Sequence, residues 1–381
     1  MMKENRAGTF AYNVSGYSTF VPKKLPPSPT ILFDSDMIRL LSEADRKLGR
    51  LDGVTQTLPN PHLFVAMYVQ KEAVLSSQIE GTQASLSDLI GLEDNPEKRE
   101  DVTDVVNYVQ AMQYGLNRLE QFPLSLRLIR EIHAVLLRKG RGCTSNPGEF
   151  RASQNWIGPP GCTLQTATFV PPTVPDMKIA MGELEKYFYE DDGLPALIKI
   201  ALIHAQFESI HPFLDGNGRM GRLLITFWLC HEKILSQPLL YLSYYFKKNR
   251  TEYYDTLMNV RLNGDWESWI KFFLKGVASV SDEAANTAKD ILALKADCEN
   301  RLSGTNNRNY MRLLELLFQY PSITKNEVSE HLGIAVPTAG RLVDDFCEYN
   351  ILTDATPDKQ RYKRYVFKSY VMLLNRGTEL N

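Results

Sequence analysis

The chemistry in this chain is concentrated in twelve consecutive residues, His211-Pro212-Phe213-Leu214-Asp215-Gly216-Asn217-Gly218-Arg219-Met220-Gly221-Arg222. Gly216 and Gly218 free the backbone to turn successive N–H groups into one concavity, and Asn217 opens an apolar helical run whose N-terminus adds positive potential. That combination is an anion cradle. Arg219 and Arg222 stand three apart on the same helix, so both guanidinium groups face the cradle side and can grip further phosphate oxygens. A triphosphate is the natural occupant. Asp215 supplies a hard oxygen ligand for Mg²⁺, which takes one or two carboxylates plus substrate phosphates. His211, four residues earlier and with an ordinary pKa of about 6.5, is suited to accept a hydroxyl proton as phosphorus is attacked.

Competing readings fail on context. Gly216 to Gly221 spells GxGxxG, but that dinucleotide fingerprint follows a strand, and Leu194 to Ser209 has a helical pattern. The chain carries neither GxxxxGK[ST] nor the protein-kinase motif set. His204, His211 and Asp215 together suggest a metal phosphohydrolase, yet a lone histidine on an apolar helix face is better read as core.

The twelve-residue segment resembles the signature of the Fic family, HxFx(D/E)GNGRxxR, at His211, Phe213, Asp215, Gly216, Asn217, Gly218, Arg219 and Arg222. The resemblance implies transfer of AMP from Mg-ATP to a Ser, Thr or Tyr hydroxyl of a target protein or of the chain itself, with pyrophosphate leaving. It makes His211 the general base and Asp215 the magnesium ligand. Gly216 to Arg219 then hold the α and β phosphates, Met220 and Gly221 continue the nucleotide-binding stretch, and Arg222 meets the γ-phosphate. Phe150-Arg151, Trp156 to Gly158 and Phe169 to Pro172 look like the family's flap, against which a target segment pairs by strand addition along residues 163–172. Gln165, Thr166, Ala167 and Thr168 would edge the nucleotide pocket, and Tyr253, Tyr254 and Arg261 occur where relatives contact adenine. Ser76, Glu80 and Gly81 are similar to the family's inhibitory motif, (S/T)xxxE(G/N). It implies that Glu80 pairs with Arg222 and keeps ATP in an unproductive pose. In some relatives that glutamate also helps water remove AMP, and a homodimer is what family analogy adds.

The elements that must position these groups are mainly helical. Apolar spacing predicts helices over Pro61–Glu80, Val102–Gln121, Ser125–Arg138, Asp176–Tyr189, Leu194–Ser209, Asn217–Lys233, Arg250–Leu262 and Trp266–Arg301. Trp156 to Pro175, with its Gly and Pro clusters around β-favouring residues, predicts a small hairpin flap. Pro22, Pro26, Pro27 and Pro29 predict an extended N-terminal arm. After a polar break at Ser303–Asn309, helices over Tyr310–Gln319, Lys325–Leu332 and Pro337–Tyr349 and a hairpin ending in Tyr362–Phe367 follow winged helix-turn-helix order. The expected organisation is an N-terminal helical domain with the inhibitory helix (1–115), a Fic-fold helical core with its flap (116–302) and a C-terminal winged helix (305–381).

Bulk properties limit the alternatives. The 44% apolar and 23% charged residues suit a folded protein, and a formal charge of -2 gives no overall field for nucleic acid or membrane. The start of the chain lacks a secretory pattern, and the longest apolar run, Leu223–Cys230, is too short to span a bilayer, which reads as a cytoplasmic protein. Five scattered cysteines without CxxC read as reduced thiols. The rival function is a DNA-binding regulator acting through the winged helix. Residues 305–381 hold ten Lys and Arg against nine Asp and Glu, and the recognition helix offers Arg341 against Asp344, Asp345 and Glu348. Lys359, Arg361, Lys363 and Arg364 make only the wing attractive to an acidic partner. Protein docking or self-association is favoured over DNA reading.

Overall fold

A computed structural model describes residues 5–56, 61–89, 99–304, 307–358 and 363–376. The chain starts with a hairpin, β1 (Gly8–Asn13) and β2 (Tyr17–Pro22), paired in a register that sets Phe10 opposite Phe20. Helices α1 (Ser35–Gln56), α2 (Pro61–Ile79), α3 (Leu86–Leu89), α4 (Arg99–Leu119) and α5 (Leu126–Leu136) follow. A long irregular stretch leads to α6 (Val174–Phe188), α7 (Ala196–Ile210) and α8 (Asn217–His231). Then come α9 (Leu242–Lys248), α10 (Arg250–Asn263) and α11 (Trp266–Leu302). The protein is mainly α, as its sequence pattern predicts.

Burial explains the order of the layers. In α7 every residue from Ile200 to Ile210 is buried, and in α8 every residue from Arg219 to Leu229. A helix buried on every face belongs at the centre of a helical body, here even with its polar residues enclosed. These two pack on each other, with α4 and α5 against α8 and α11 against α7. Trp269 of α11 fastens the last contact, its indole N–H donating to the Ala201 carbonyl at 2.8 Å. The first helix lies along α11, burying Met37, Leu40, Ala44, Leu48, Leu51 and Thr55 from one stripe.

Three features differ from the sequence reading. The N-terminal arm is a hairpin, and its tight turn uses Gly16 at φ 86°. Helices α1, α3 and α9, and a last helix at Lys368–Asn375, are absent from the sequence reading. The expected flap hairpin at Trp156–Pro175 is reduced to one bridging pair, in which Ile157 and Phe169 exchange both N–H···O bonds at 2.8 and 3.0 Å. Between them turns at Pro159–Cys162 and Thr163–Thr166 consume the backbone, so no strand can propagate.

The C-terminal part runs α12 (Arg308–Gln319), β3 (Ser322–Thr324), α13 (Lys325–Leu332), α14 (Val336–Glu348), β4 (Thr353–Asp354), β5 (Arg364–Val366) and α15 (Lys368–Asn375). Its antiparallel sheet has the order β3-β5-β4. Thr324 and Glu327 form a reciprocal capping box at the start of α13, and Gly333 ends that helix at φ 65°. Two of the three acids on α14 have internal partners: Asp344 binds Lys325 at 2.6 Å, and Asp345 accepts from the Tyr310 hydroxyl. Of the four basic residues at 359–364, Lys363 pairs with Asp354 and Arg364 with Glu327, while Lys359 and Arg361 lie outside the described residues. The last helix returns to the main body and packs on α11 and α2. Among the described residues no helix is long and apolar enough to cross a membrane, and all five cysteines are free.

Candidate active site

The segment 211–222 forms the turn between the two central helices. His211 caps α7 at φ 50°, a left-handed conformation that turns the chain out of the helix. Gly216 starts α8 at φ 76°, and that helix has no side-chain cap. An uncapped helix start leaves its first N–H groups for an external acceptor.

Fixing this turn consumes polar side chains. Asn217 accepts from the Phe213 N–H and donates to the Phe213 carbonyl, both at 2.8 Å. Its side chain is therefore spent on the loop, and only its main chain faces an anion. Asn155 donates to the carbonyls of His211 and Phe213 at 3.1 and 2.9 Å. Arg151 donates to the His211 and Pro172 carbonyls, tying the turn to the flap. His133 donates from Nε2 to the Asp215 carbonyl and accepts the Gly148 N–H at Nδ1, both at 2.9 Å, which fixes its tautomer. Its ring stacks on Phe213 at 3.6 Å, and burial pushes its pKa down to about 4.

His211 keeps one edge in solvent, its side chain 19% exposed. Burial, with Arg261 adding to it, lowers its pKa to about 4, so the imidazole is neutral at physiological pH. The nearest acceptor to Nδ1 is the Glu208 carbonyl at 3.4 Å, an arrangement that puts the proton on Nδ1 and leaves Nε2 as acceptor.

The two arginines are gathered differently. Arg219 is buried with Asp104 at 3.7 Å and Asp215 at 3.6 Å. Arg222 is also buried, donating to the Ser76 hydroxyl at 2.8 Å, the Ser76 carbonyl at 3.0 Å and the Glu80 carboxylate at 2.7 Å. Glu80 follows the end of α2, and Gly81 after it has φ 95°. Burial pushes the Glu80 carboxyl up, but Arg222 outweighs it and the net shift is downward. A Cβ on Gly218 would lie 2.3 Å from Glu80 Oε1, so this carboxylate rests against the first turn of α8. Met220 is core, and Gly221 gives its carbonyl to His204 Nδ1 at 3.0 Å.

Several expected contacts lie elsewhere. Tyr253 is buried among Phe246, Trp269 and His204, its hydroxyl 2.9 Å from His204 Nε2. With both edges packed it has no face for a base; a step of 100° along a helix turns only Tyr254, 41% exposed, outward. Arg261 packs over the Phe169 ring at 4.1 Å and donates to Ser209 Oγ and the Glu208 carbonyl, which makes it a brace beneath the flap. Gln165 reaches the Ser15 carbonyl of the N-terminal hairpin, Thr166 closes a turn onto Thr163, Thr168 is exposed and Ala167 packs near Gly158. These four residues form an outer rim.

Besides Asp104, sequence reasoning passed over two buried carboxyls near the central helices, Glu72 and Glu208. Glu72 accepts from Tyr108 and Ser243, and burial pushes its pKa to about 7. Glu208, raised to about 7 by burial, sits behind His211 and Arg222. Glu72 follows Gln70 and Lys71, and Glu208 sits between Gln206 and Ser209, so their polar neighbours hid their burial from the sequence pattern.

Residues 38–117 match the profile described as Fic/DOC family N-terminal, and residues 123–229 match that of the Fic/DOC family. The chain belongs to the Fic/DOC family. It is 26% identical over 253 residues to the protein adenylyltransferase Fic of Drosophila mojavensis, covering 62% of this chain and 46% of the relative. The Aedes aegypti protein of the same name is 31% identical over 151 residues, covering 39% and 27%. The chain thus spans less than half the length of these relatives. A Fic family protein from Desulfovibrio desulfuricans superposes with a TM-score of 0.59 at 20% identity, over 88% of this chain and 97% of that one. A Fic-domain signalling protein from Bacteroides thetaiotaomicron does so at 0.50 and 18% identity, over 67% and 95%. These likenesses establish a Fic fold.

Proposed function

We propose that this chain transfers AMP from Mg-ATP to a protein hydroxyl and that Glu80 holds the transfer in check. The observation that carries the reading is the seat of Glu80: an anionic side chain, 2.7 Å from Arg222, rests against the open first turn of α8. A place built for one anion is a place for phosphate. The relatives' printed name, protein adenylyltransferase, supports the same chemistry.

The residues suit magnesium carried on a triphosphate. Asp215 presents a carboxylate at the pocket edge, 36% exposed, and one carboxylate plus phosphate oxygens is an ordinary set for that ion. When bound it would offset charge on the phosphates. The N–H groups at the start of α8 and Arg219, braced between Asp104 and Asp215, would hold the phosphates. Arg222 would take the terminal phosphate once Glu80 withdraws. His211 Nε2 would accept the hydroxyl proton while Nδ1–H stays on the Glu208 carbonyl. An extended target segment would lie along the rim at 163–172; with an AMP-bearing target seated there, water attacking the phosphorus from the side pyrophosphate leaves by would break the bond to the target oxygen and release AMP.

The test is labelling with α-labelled and γ-labelled ATP, using wild type, Glu80→Gly and His211→Ala in the presence of a lysate. Label from the α position alone, stronger in Glu80→Gly and absent in His211→Ala, is the expected result. Label from the γ position would mean phosphoryl transfer instead, and equal labelling by Glu80→Gly and wild type would remove the brake.

A further inference from the structure

Glu208 is buried in the last turn of α7, three residues before His211. Its Oε2 lies 4.0 Å from His211 Nδ1. Its Oε1 is buried without a hydrogen-bond partner and is pressed so closely on α8 that a Cβ on Gly221 would lie 2.4 Å away. A buried acceptor left unmade is costly, and Leu or Met would fill the same space without that cost. The carboxylate is therefore retained for its charge. Arg222 of α8 and Arg261 of α10 favour its charged form and Glu80 beyond α2 opposes it, while it holds the Tyr253 and Tyr254 hydroxyls of α10 protonated and faces the neutral imidazole.

We propose that Glu208 is a positioning residue for His211: its carboxylate braces the Nδ1 edge of the ring, keeps the proton there and holds Nε2 toward the attacking hydroxyl. The proposal rests on His211 being the base. The backbone carbonyl alone is a weak anchor, because 3.4 Å is at the outer limit of a hydrogen bond. In the transfer the hydroxyl oxygen bonds to the α phosphorus and its proton passes to Nε2. The bond from that phosphorus to the β-phosphate oxygen breaks, and pyrophosphate leaves with the electron pair. The imidazolium so formed faces a carboxylate, which lowers its energy.

One consequence is a pH profile. Burial and the Glu80 charge hold Glu208 near 7 while Arg222 and Arg261 oppose them, so the bracing anion grows in as pH rises through neutrality. Removing Glu80 takes away a like charge, and the inflection moves down.

The test compares Glu80→Gly with the double variants carrying Glu208→Gln or Glu208→Asp. Initial rates of α-label transfer are measured from about pH 5.5 to 8.5, a span that brackets the histidine range, alongside ATP affinity and thermal melting. The imidazole ¹⁵N shifts of His211 are recorded for wild type and Glu208→Gln. The expected result is a loss of roughly tenfold or more at the alkaline end for Gln, a flattened profile, unchanged ATP affinity, partial recovery with Asp and a smaller share of the Nδ1–H tautomer. An unchanged profile, or a loss uniform across pH with the tautomer unmoved, would overturn the proposal. If Glu80→Gly labels nothing while the tautomer still shifts in Glu208→Gln, the transfer reading fails and the bracing of His211 stands.

Discussion

The floor of the pocket and its rim are built to different standards. On the floor, the turn from His211 to Asn217 is held by Arg151, Asn155, His133 and Asn217, each tied to main-chain atoms. On the rim, residues 157–169 are closed by a single bridging pair and two turns. Side chains that hold the backbone fix where a proton and a phosphate must meet. A rim with few such ties leaves its sequence free to suit a partner. On the proposed function, chemistry and choice of target would be carried by separate parts of the chain.

The largest break in this comparison is chemical. His211→Ala is expected to lower transfer by about a thousandfold or more, measured as α-label on protein, with thermal melting close to that of the parent. Acid is the next. His133 and His204 are held neutral, lowered to about 4 and about 3 by burial, and His211 to about 4. The unfolded chain takes protons on these rings first, so stability is full above pH 6.5 and falls as pH drops toward 4. The loss reaches up to about 3 kcal/mol per imidazole, and melting across pH 7 to about 4.5 should reveal it. Retention of full stability at the acid end would mean that these rings open easily to water.

Smaller effects separate floor from rim. Asn217→Ala removes both Phe213 bonds and should cost about 1–3 kcal/mol in a denaturant titration, with ATP affinity falling as the turn loosens. Thr166→Ala on the rim should change stability by less than about 0.5 kcal/mol, yet alter which proteins in a lysate become labelled. Comparable destabilisation by both would erase the distinction between the two regions.

What could be read from the sequence follows the same division. The motif residues are neighbours along the chain, so type and spacing alone exposed their chemistry, and the long amphipathic helices gave clear periodicity. The supports were hidden because they come from afar: His133 meets Asp215 across 82 residues and Ser76 meets Arg222 across 146. Tyr253 and Tyr254 are adjacent letters with opposite surroundings, a difference set by helix rotation and by His204 on another helix. In α1 the buried stripe includes Ala44 and Thr55, which blur an apolar count. The N-terminal hairpin was masked by the prolines that follow it, while β1 is exposed on most positions and shows no alternation.

That hairpin has a practical consequence. Phe20 N–H donates to the Val170 carbonyl at 3.0 Å, and Asn5 and Arg6 fasten the arm to Arg261 and Glu267. The stretch matching the family profiles begins only at Ile38. A recombinant protein cut to that boundary would keep every residue of the signature but lose the clasp that ties the 157–170 segment to the N-terminal hairpin.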